Sequence, residues 1–208
     1  MAEIRRLFST PFALEMVDGT VDLAALKQAI SDERVRDPQG IVRSNISGWH
    51  SAATLQHWGG EAAHALTKQV VAIADAMTLD DRDRTATSHR WSADMWANVA
   101  REGDAHQYHF HPGCVWSAVA YIDDGYEGST DPDLGGELQL LDPRMPQIRM
   151  NAPQLRLRES DGGEQLVEPF VRPRTGLLVV FPAWLAHSVR PFRGSGTRVS
   201  IAINLSAD

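Results

Sequence analysis

Residues 176–204 read GLLVVFPAWLAHSVRPFRGSGTRVSIAIN, and the parsing of this stretch decides the fold. An apolar run from Leu177 to Phe181 ends at Pro182, and a short turn leads to His187. Gly194-Ser195-Gly196 marks another turn, after which RVSIAIN alternates with the period of two that a strand imposes. Arg198 and Ser200 then share one face, while Val199, Ile201 and Ile203 share the other. A strand of this kind separates a packed apolar layer from an interior that must supply an anion, because an unpaired buried guanidinium is costly. That anion is either a bound dicarboxylate or a carboxylate of the protein itself.

Outward from this stretch the same grammar extends back to residue 88. HRWSADMWANVA (89–100), HQYHFH (106–111), VWSAVAYI (115–122), GELQLL (136–141), QLRLR (154–158) and QLVEPFV (165–171) are short strand-like runs, separated by turns such as Asp124-Gly125, Gly135-Gly136 and Asp161-Gly162-Gly163. Short strands at this spacing predict an antiparallel barrel or jelly roll rather than a parallel sheet. The N-terminal part differs. Residues 4–17 read as one or two short strands around Pro11, and Asp18 and Thr20 are positioned to cap a helix carrying Val21, Leu23, Leu26 and Ile30 to about Val35. Asp37-Pro38-Gln39-Gly40 stops it. RSNISGWHSAATLQHWGG (43–60) reads as a loop leading into a short helix, and Ala62, Leu66, Val70, Ile73 and Met77 mark a helix over 61–77. The expected fold is therefore mostly β with flanking helices (α+β), a β-roll buttressed by N-terminal helices. The expected organisation is one domain, 1–208, with supporting elements in 1–87 and the β core in 88–208.

Composition excludes several functions. The 208 residues carry a net charge of −7, spread evenly along the chain, which argues against a nucleic-acid or anionic-membrane partner. The lone cysteine, Cys114, leaves no intrachain disulfide and reads as a small core residue rather than a nucleophile. The opening MAEIRRLFSTPF lacks the apolar core of a secretory leader, and no run approaches the ~18 apolar residues of a membrane span. A cytoplasmic protein is expected, with a homodimer left open.

The chemistry concentrates in histidines, of which the chain has 8. If 106–111 is a strand, His109 and His111 lie on one face, about 6–7 Å apart along it, a spacing at which two imidazoles can converge on one metal ion. A polar strand end with solvated histidines fits H-x-H equally well. His106 is out of register with the pair and reads as a neighbour of the site or as exposed. A third ligand should come from a distant segment such as the one carrying His187, which taken alone reads more readily as a structural or surface histidine. Of the tryptophans, Trp49 and Trp184 sit in turn contexts and are expected to border the site; the others read as packing.

SNISGWHSA (44–52), HFHPGCVWSAVAYI (109–122), GELQLLDPR (136–144), FPAWLAHSV (181–189) and RVSIAIN (198–204), in this order, resemble the Fe(II)/2-oxoglutarate-dependent oxygenases of the double-stranded β-helix fold, and in particular a bacterial and phage subfamily of them. The resemblance implies Fe(II) as metal and 2-oxoglutarate as cosubstrate, decarboxylated to succinate as a small-molecule or peptide substrate is oxidised. It implies His109 and His187 as ligands, Arg198 with Ser200 on the far carboxylate of 2-oxoglutarate, and Tyr121 as a further contact to that carboxylate. His111 stands where most of the superfamily has Asp or Glu. It is either a third ligand or replaced by water or a carboxylate, Glu137 being the nearest by pattern. Two other readings remain: a cupin-type metal enzyme, which expects a glutamate a few residues after H-x-H where this chain has PGCVWSA, and a non-catalytic β-roll binding metal or a small acid.

Overall fold

The computed structural model of the chain describes residues 7–144, 154–158, 162–166 and 168–207. Its strands are β1 (Ala13–Met16), β2 (Asn45–Ile46), β3 (Trp49–His50), β4 (Trp91–Ala100), β5 (Ala105–His109), β6 (Trp116–Asp123), β7 (Leu138–Leu140), β8 (Phe170–Val171), β9 (Leu177–Pro182), β10 (His187–Val189) and β11 (Arg198–Ala207). They form two antiparallel sheets: six strands in the order β1-β9-β6-β11-β4-β3, and five in the order β2-β5-β10-β7-β8. The mostly β expectation holds, and so does the jelly-roll layout.

Three helices accompany the sheets: α1 (Leu23–Arg36), α2 (Leu55–Trp58) and α3 (Gly60–Ala76). The N-cap of α1 is Asp22, whose side chain accepts from the Ala25 N–H, rather than the expected Asp18 or Thr20. Asp18 instead accepts from the backbone N–H and hydroxyl of Thr20, closing a tight turn one step earlier.

The strict alternation of the central strands builds two cores, one on each side of the large sheet. Ala118 and Ala120 of β6, Leu178 and Val180 of β9, and Val199, Ile201 and Ile203 of β11 pack with Leu26, Ile30, Leu66 and Val70 of the helices. The fully buried leucines, isoleucine and valine there each contribute roughly 1.5–3 kcal/mol of apolar burial. The opposite faces point between the sheets, where Tyr121, Val179 and Phe181 meet Leu138, Leu140 and Leu185. The helices thus seal the outer face of the large sheet and leave its inner face to form the floor of a cavity.

Several boundaries differ from the sequence reading. QLRLR forms no strand: Leu155 and Leu157 are exposed, and only an isolated bridge joins Arg158 to Glu164. Within QLVEPFV only Phe170–Val171 pairs, while Val167 lies outside the described residues. Alternation without a facing core does not make a strand, because cross-strand contacts supply its stability. The predicted strand 106–111 ends at His109, so His111 stands in the turn beyond it. Conversely, the loop 43–60 contributes β2 and β3, one to each sheet. Residues 4–6, the start of the predicted strand region 4–17, lie outside the described residues.

Candidate metal centre

β5 and β10 are neighbours in the smaller sheet, and His109 and His187 are directly opposed across them. Residues so paired carry their side chains on the same face. Their ring centroids are 4.3 Å apart. His111 joins from the turn, anchored by its N–H donating to the Ala183 carbonyl at 2.9 Å, with centroids 5.0 Å from His109 and 5.2 Å from His187. The three residues offer ring nitrogens that all lie within 4.8 Å of one another. The convergence expected of H-x-H and the distal histidine is therefore present, although His111 reaches it from a turn instead of a strand.

Two of the rings are held in a defined tautomer. His109 Nδ1–H donates to the Gln107 carbonyl and His187 Nδ1–H to the Leu185 carbonyl, each at 2.8 Å. Both leave Nε2 unprotonated, as a metal-binding imidazole requires. Burial favours the neutral ring: it drives the pKa of His187 down to about 3 and that of His111 down to about 4, and lowers that of His109, with the neighbouring histidines adding to the shift at His187 and His111.

The triad opens on a cavity of about 830 Å³ between the sheets. Its floor carries a polar row across four strands, His50–Asn98–Ser200–Tyr121, each residue opposed to the next in register. Arg198 stands one step along β11 on the same face and is only 2% exposed. Its Nη1–H donates to the Gly136 carbonyl at 2.5 Å, and its Nε–H, also buried, has no acceptor. No carboxylate forms a salt bridge with it among the described residues, so the alternative of an internal ion pair is not realised. Burial lowers the Arg198 pKa and raises that of Tyr121 beside it. The contact with Gly136 depends on Gly135 and Gly136, both at positive φ: a Cβ on Gly135 would lie 2.0 Å from the Pro191 carbonyl oxygen, a position no side chain tolerates.

Other expectations need correction. Trp49 does not border the cavity: it is 5% exposed, packs in the helix-side core and donates its indole N–H to the Asp37 carbonyl. Trp184 is 52% exposed and does not line the cavity. Trp96 occupies that place, stacked on His50 with centroids 5.6 Å apart and tilted against His111 at 5.7 Å. Glu137 is buried rather than an exposed strand residue, but it lies outside the histidine cluster, with Arg190 3.9 Å away. Cys114 is half-buried, near the Ser206 hydroxyl.

His106, read as out of register, faces the cavity because the β5–β10 pairing shifts between His187 and Val189, a bulge that turns an odd separation into a shared face. Ser44 Oγ sits 3.4 Å from both His106 Nδ1 and His109 Nε2. Sequence reasoning gave no role to His50, Asn98 or Trp96. The signal was present: Trp96 and Asn98 lie with Ser92 and Asp94 on the face of β4 opposite the apolar Met95, Ala97 and Val99.

A second cavity of about 820 Å³ opens beside β1 and β8 and contains no histidine among the described residues. No helix among them is long and apolar enough to cross a membrane.

Comparison places this geometry. A family profile described as "Putative 2OG-Fe(II) oxygenase" matches residues 94–204, just over half of the chain and including all three clustered histidines and Arg198. No match is found among curated proteins. Among solved structures the chain is similar to a prolyl-4-hydroxylase of Pseudomonas putida, at 18% identity over 96% of this chain and 94% of that one, with a TM-score of 0.58. It is similar to a prolyl hydroxylase of Trichoplax adhaerens, in complex with a peptide fragment, at 13% identity, 94% and 83% coverage and a TM-score of 0.63. It is also similar to HygX of Streptomyces hygroscopicus, with nickel and 2-oxoglutarate bound, at 13% identity, 95% and 83% coverage and a TM-score of 0.55. At these identities the likeness to the structures is one of fold.

Proposed function

This chain belongs to the 2OG-Fe(II) oxygenase family, and on that premise we propose that His109, His187 and His111 hold its iron while Arg198, Ser200 and Tyr121 hold its cosubstrate. It is an enzyme of the oxidoreductase class that uses Fe(II) and 2-oxoglutarate. The proposed reaction is hydroxylation of a small-molecule or peptide substrate: substrate C–H, dioxygen and 2-oxoglutarate become C–OH, succinate and carbon dioxide. The bound iron and 2-oxoglutarate supply the oxidising chemistry; the protein supplies geometry and charge.

The observation that carries the assignment is the buried, unpaired guanidinium on the cavity that the three imidazoles share. The Arg198 Nε–H without an acceptor fits a carboxylate that is not the protein's own. The Ser200 and Tyr121 hydroxyls, beside it on the floor, complete a donor set for that carboxylate. The raised Tyr121 pKa keeps its O–H protonated and able to donate. Three imidazoles would fill only part of the coordination shell of an ion they held, as a catalytic site requires and a closed structural site does not. With neutral imidazoles alone, the centre keeps the full +2 charge of the ion, so a dianionic cosubstrate neutralises it.

The test is anaerobic titration of metal-loaded protein with 2-oxoglutarate, followed by oxygenation and measurement of succinate. One metal per chain and metal-dependent 2-oxoglutarate binding are expected. Absence of that binding overturns the assignment.

A further inference from the structure

Resting on the reading above, we propose that the primary substrate is an organic carboxylate carrying an N–H or O–H donor, its anion held by Arg43 and its donor accepted by His50. The polar row across the floor spans three strand spacings, about 14 Å from Tyr121 to His50, so the two ends of the cavity are separate places. The cosubstrate takes the Tyr121–Arg198 end. The volume of about 830 Å³ is far more than one five-carbon diacid fills.

The other end is built for a second anion. The described lining contains two arginines and no Asp or Glu. Arg198 is committed to the cosubstrate, which leaves Arg43 as the cation facing the remaining space, and no ion pair engages its guanidinium among the described residues. Arg43 is exposed at the cavity, and its backbone is held: its N–H donates to the Asn45 side chain at 2.8 Å, and the next carbonyl, Ser44, accepts from the Gln107 N–H at 2.9 Å.

His50 is buried and fixed. Its Nδ1–H donates to the Ser51 carbonyl at 2.6 Å, and its ring lies flat on Trp96 at an interplanar angle of 10°. Nε2 is therefore an acceptor with no protein donor among the described residues, on a residue that lines the cavity. Ile41, Val42, Ala52, Ala53 and Phe110 line the space around these two groups and suit an apolar body between anion and donor.

The experiment uses the nickel-loaded protein saturated with 2-oxoglutarate and measures binding of three matched probes by ligand-observed NMR: N-acetyl-leucine, its primary amide, and its N-methylated acid. The first keeps anion and donor, the second loses the anion, and the third loses the donor. N-acetyl-leucine should bind about 5–10-fold more tightly than either analogue, the range for a partly exposed charge-assisted contact. Arg43→Glu should abolish the preference for acid over amide, and Arg43→Lys should keep part of it. His50→Phe, which preserves the stack on Trp96, should remove only the preference for N–H over N-methyl. Equal binding of acid and amide, no binding of any probe, or an unchanged preference in Arg43→Glu overturns the inference. Successful 2-oxoglutarate binding with any of these results overturns it alone; failure of 2-oxoglutarate binding overturns the underlying assignment with it.

Discussion

Replacing Arg198 by Met separates a ligand-binding arginine from a structural one. A buried arginine in an internal ion pair stabilises the fold, and removing it strands its partner at a cost of about 3–5 kcal/mol. Arg198 strands nothing charged: among the described residues its side-chain hydrogen bond is to the Gly136 carbonyl, its guanidinium lies over the Phe192 ring, and its Nε–H is already without an acceptor. The substitution forfeits one charge-assisted hydrogen bond, about 1.5–3 kcal/mol, and removes the desolvation penalty of a cation that is 2% exposed, a term of opposite sign and similar size. The net change in the stability of the metal-free protein should stay within about 2 kcal/mol, a shift of roughly 4–8 °C at most in a chain of this size. Affinity for 2-oxoglutarate should fall by about 2–5 kcal/mol, roughly 30-fold to several thousand-fold, because two charge-assisted bonds to a desolvated carboxylate are lost. Arg198→Lys should restore part of it, since an ammonium lacks the planar fork. Calorimetric titration of the anaerobic metal-loaded variants, alongside their thermal unfolding, reads both quantities. Affinity within threefold of the parent refutes the reasoning. So does a melting temperature more than about 10 °C lower, because it would mark a structural ion pair.

His109→Ala and His187→Ala should each abolish stoichiometric metal binding while leaving far-UV dichroism unchanged, and full occupancy in either would remove that residue from the ligand set. His111→Ala should weaken metal binding about 10–100-fold without abolishing it, because this ring has no pinned tautomer; a competition titration against a chelator measures the loss. The metal-free protein should lose stability on acidification. Its unfolded chain protonates imidazoles near pH 6.5 while the folded one holds His106 and His187 neutral to about 3 and His111 to about 4, so between those limits the unfolded state takes up more protons. A melting temperature unchanged between pH 7.5 and 4.5 would contradict this.

Period-two patterning made most of the large sheet legible, since β4, β6, β9 and β11 each carry one face toward the helices and one toward the cavity, and both faces leave a mark on residue choice. Arg198 and Ser200 were readable for that reason. β2 and β3 were not, because a two-residue strand carries no period and exists only by virtue of its neighbour, and β8 was read only as part of the longer run 165–171. His106 escaped through a bulge, which breaks the rule that odd separations face apart. His111 was placed with its partners on a strand rule that does not apply to it: the Ala183 carbonyl, not alternation, brings it in. Trp96 displaced Trp49 and Trp184 from the site because loop position says little about facing, whereas a tryptophan two residues from a buried asparagine on one strand face says a good deal.

The opposition of His109 and His187 across one hydrogen-bonded ladder has a consequence for how the proposed centre meets different ions. Two of its donors stand on paired strands of the sheet, while the third stands in a turn beside Pro112-Gly113, held by the Ala183 carbonyl and the Cys114 N–H. If the three histidines hold the ion as proposed, differences in ionic radius should be taken up mostly by His111. A centre with two stiff donors and one compliant donor accepts several divalent ions at little strain, so the metal found in the protein after purification reflects what the cell supplied more than what the fold selects.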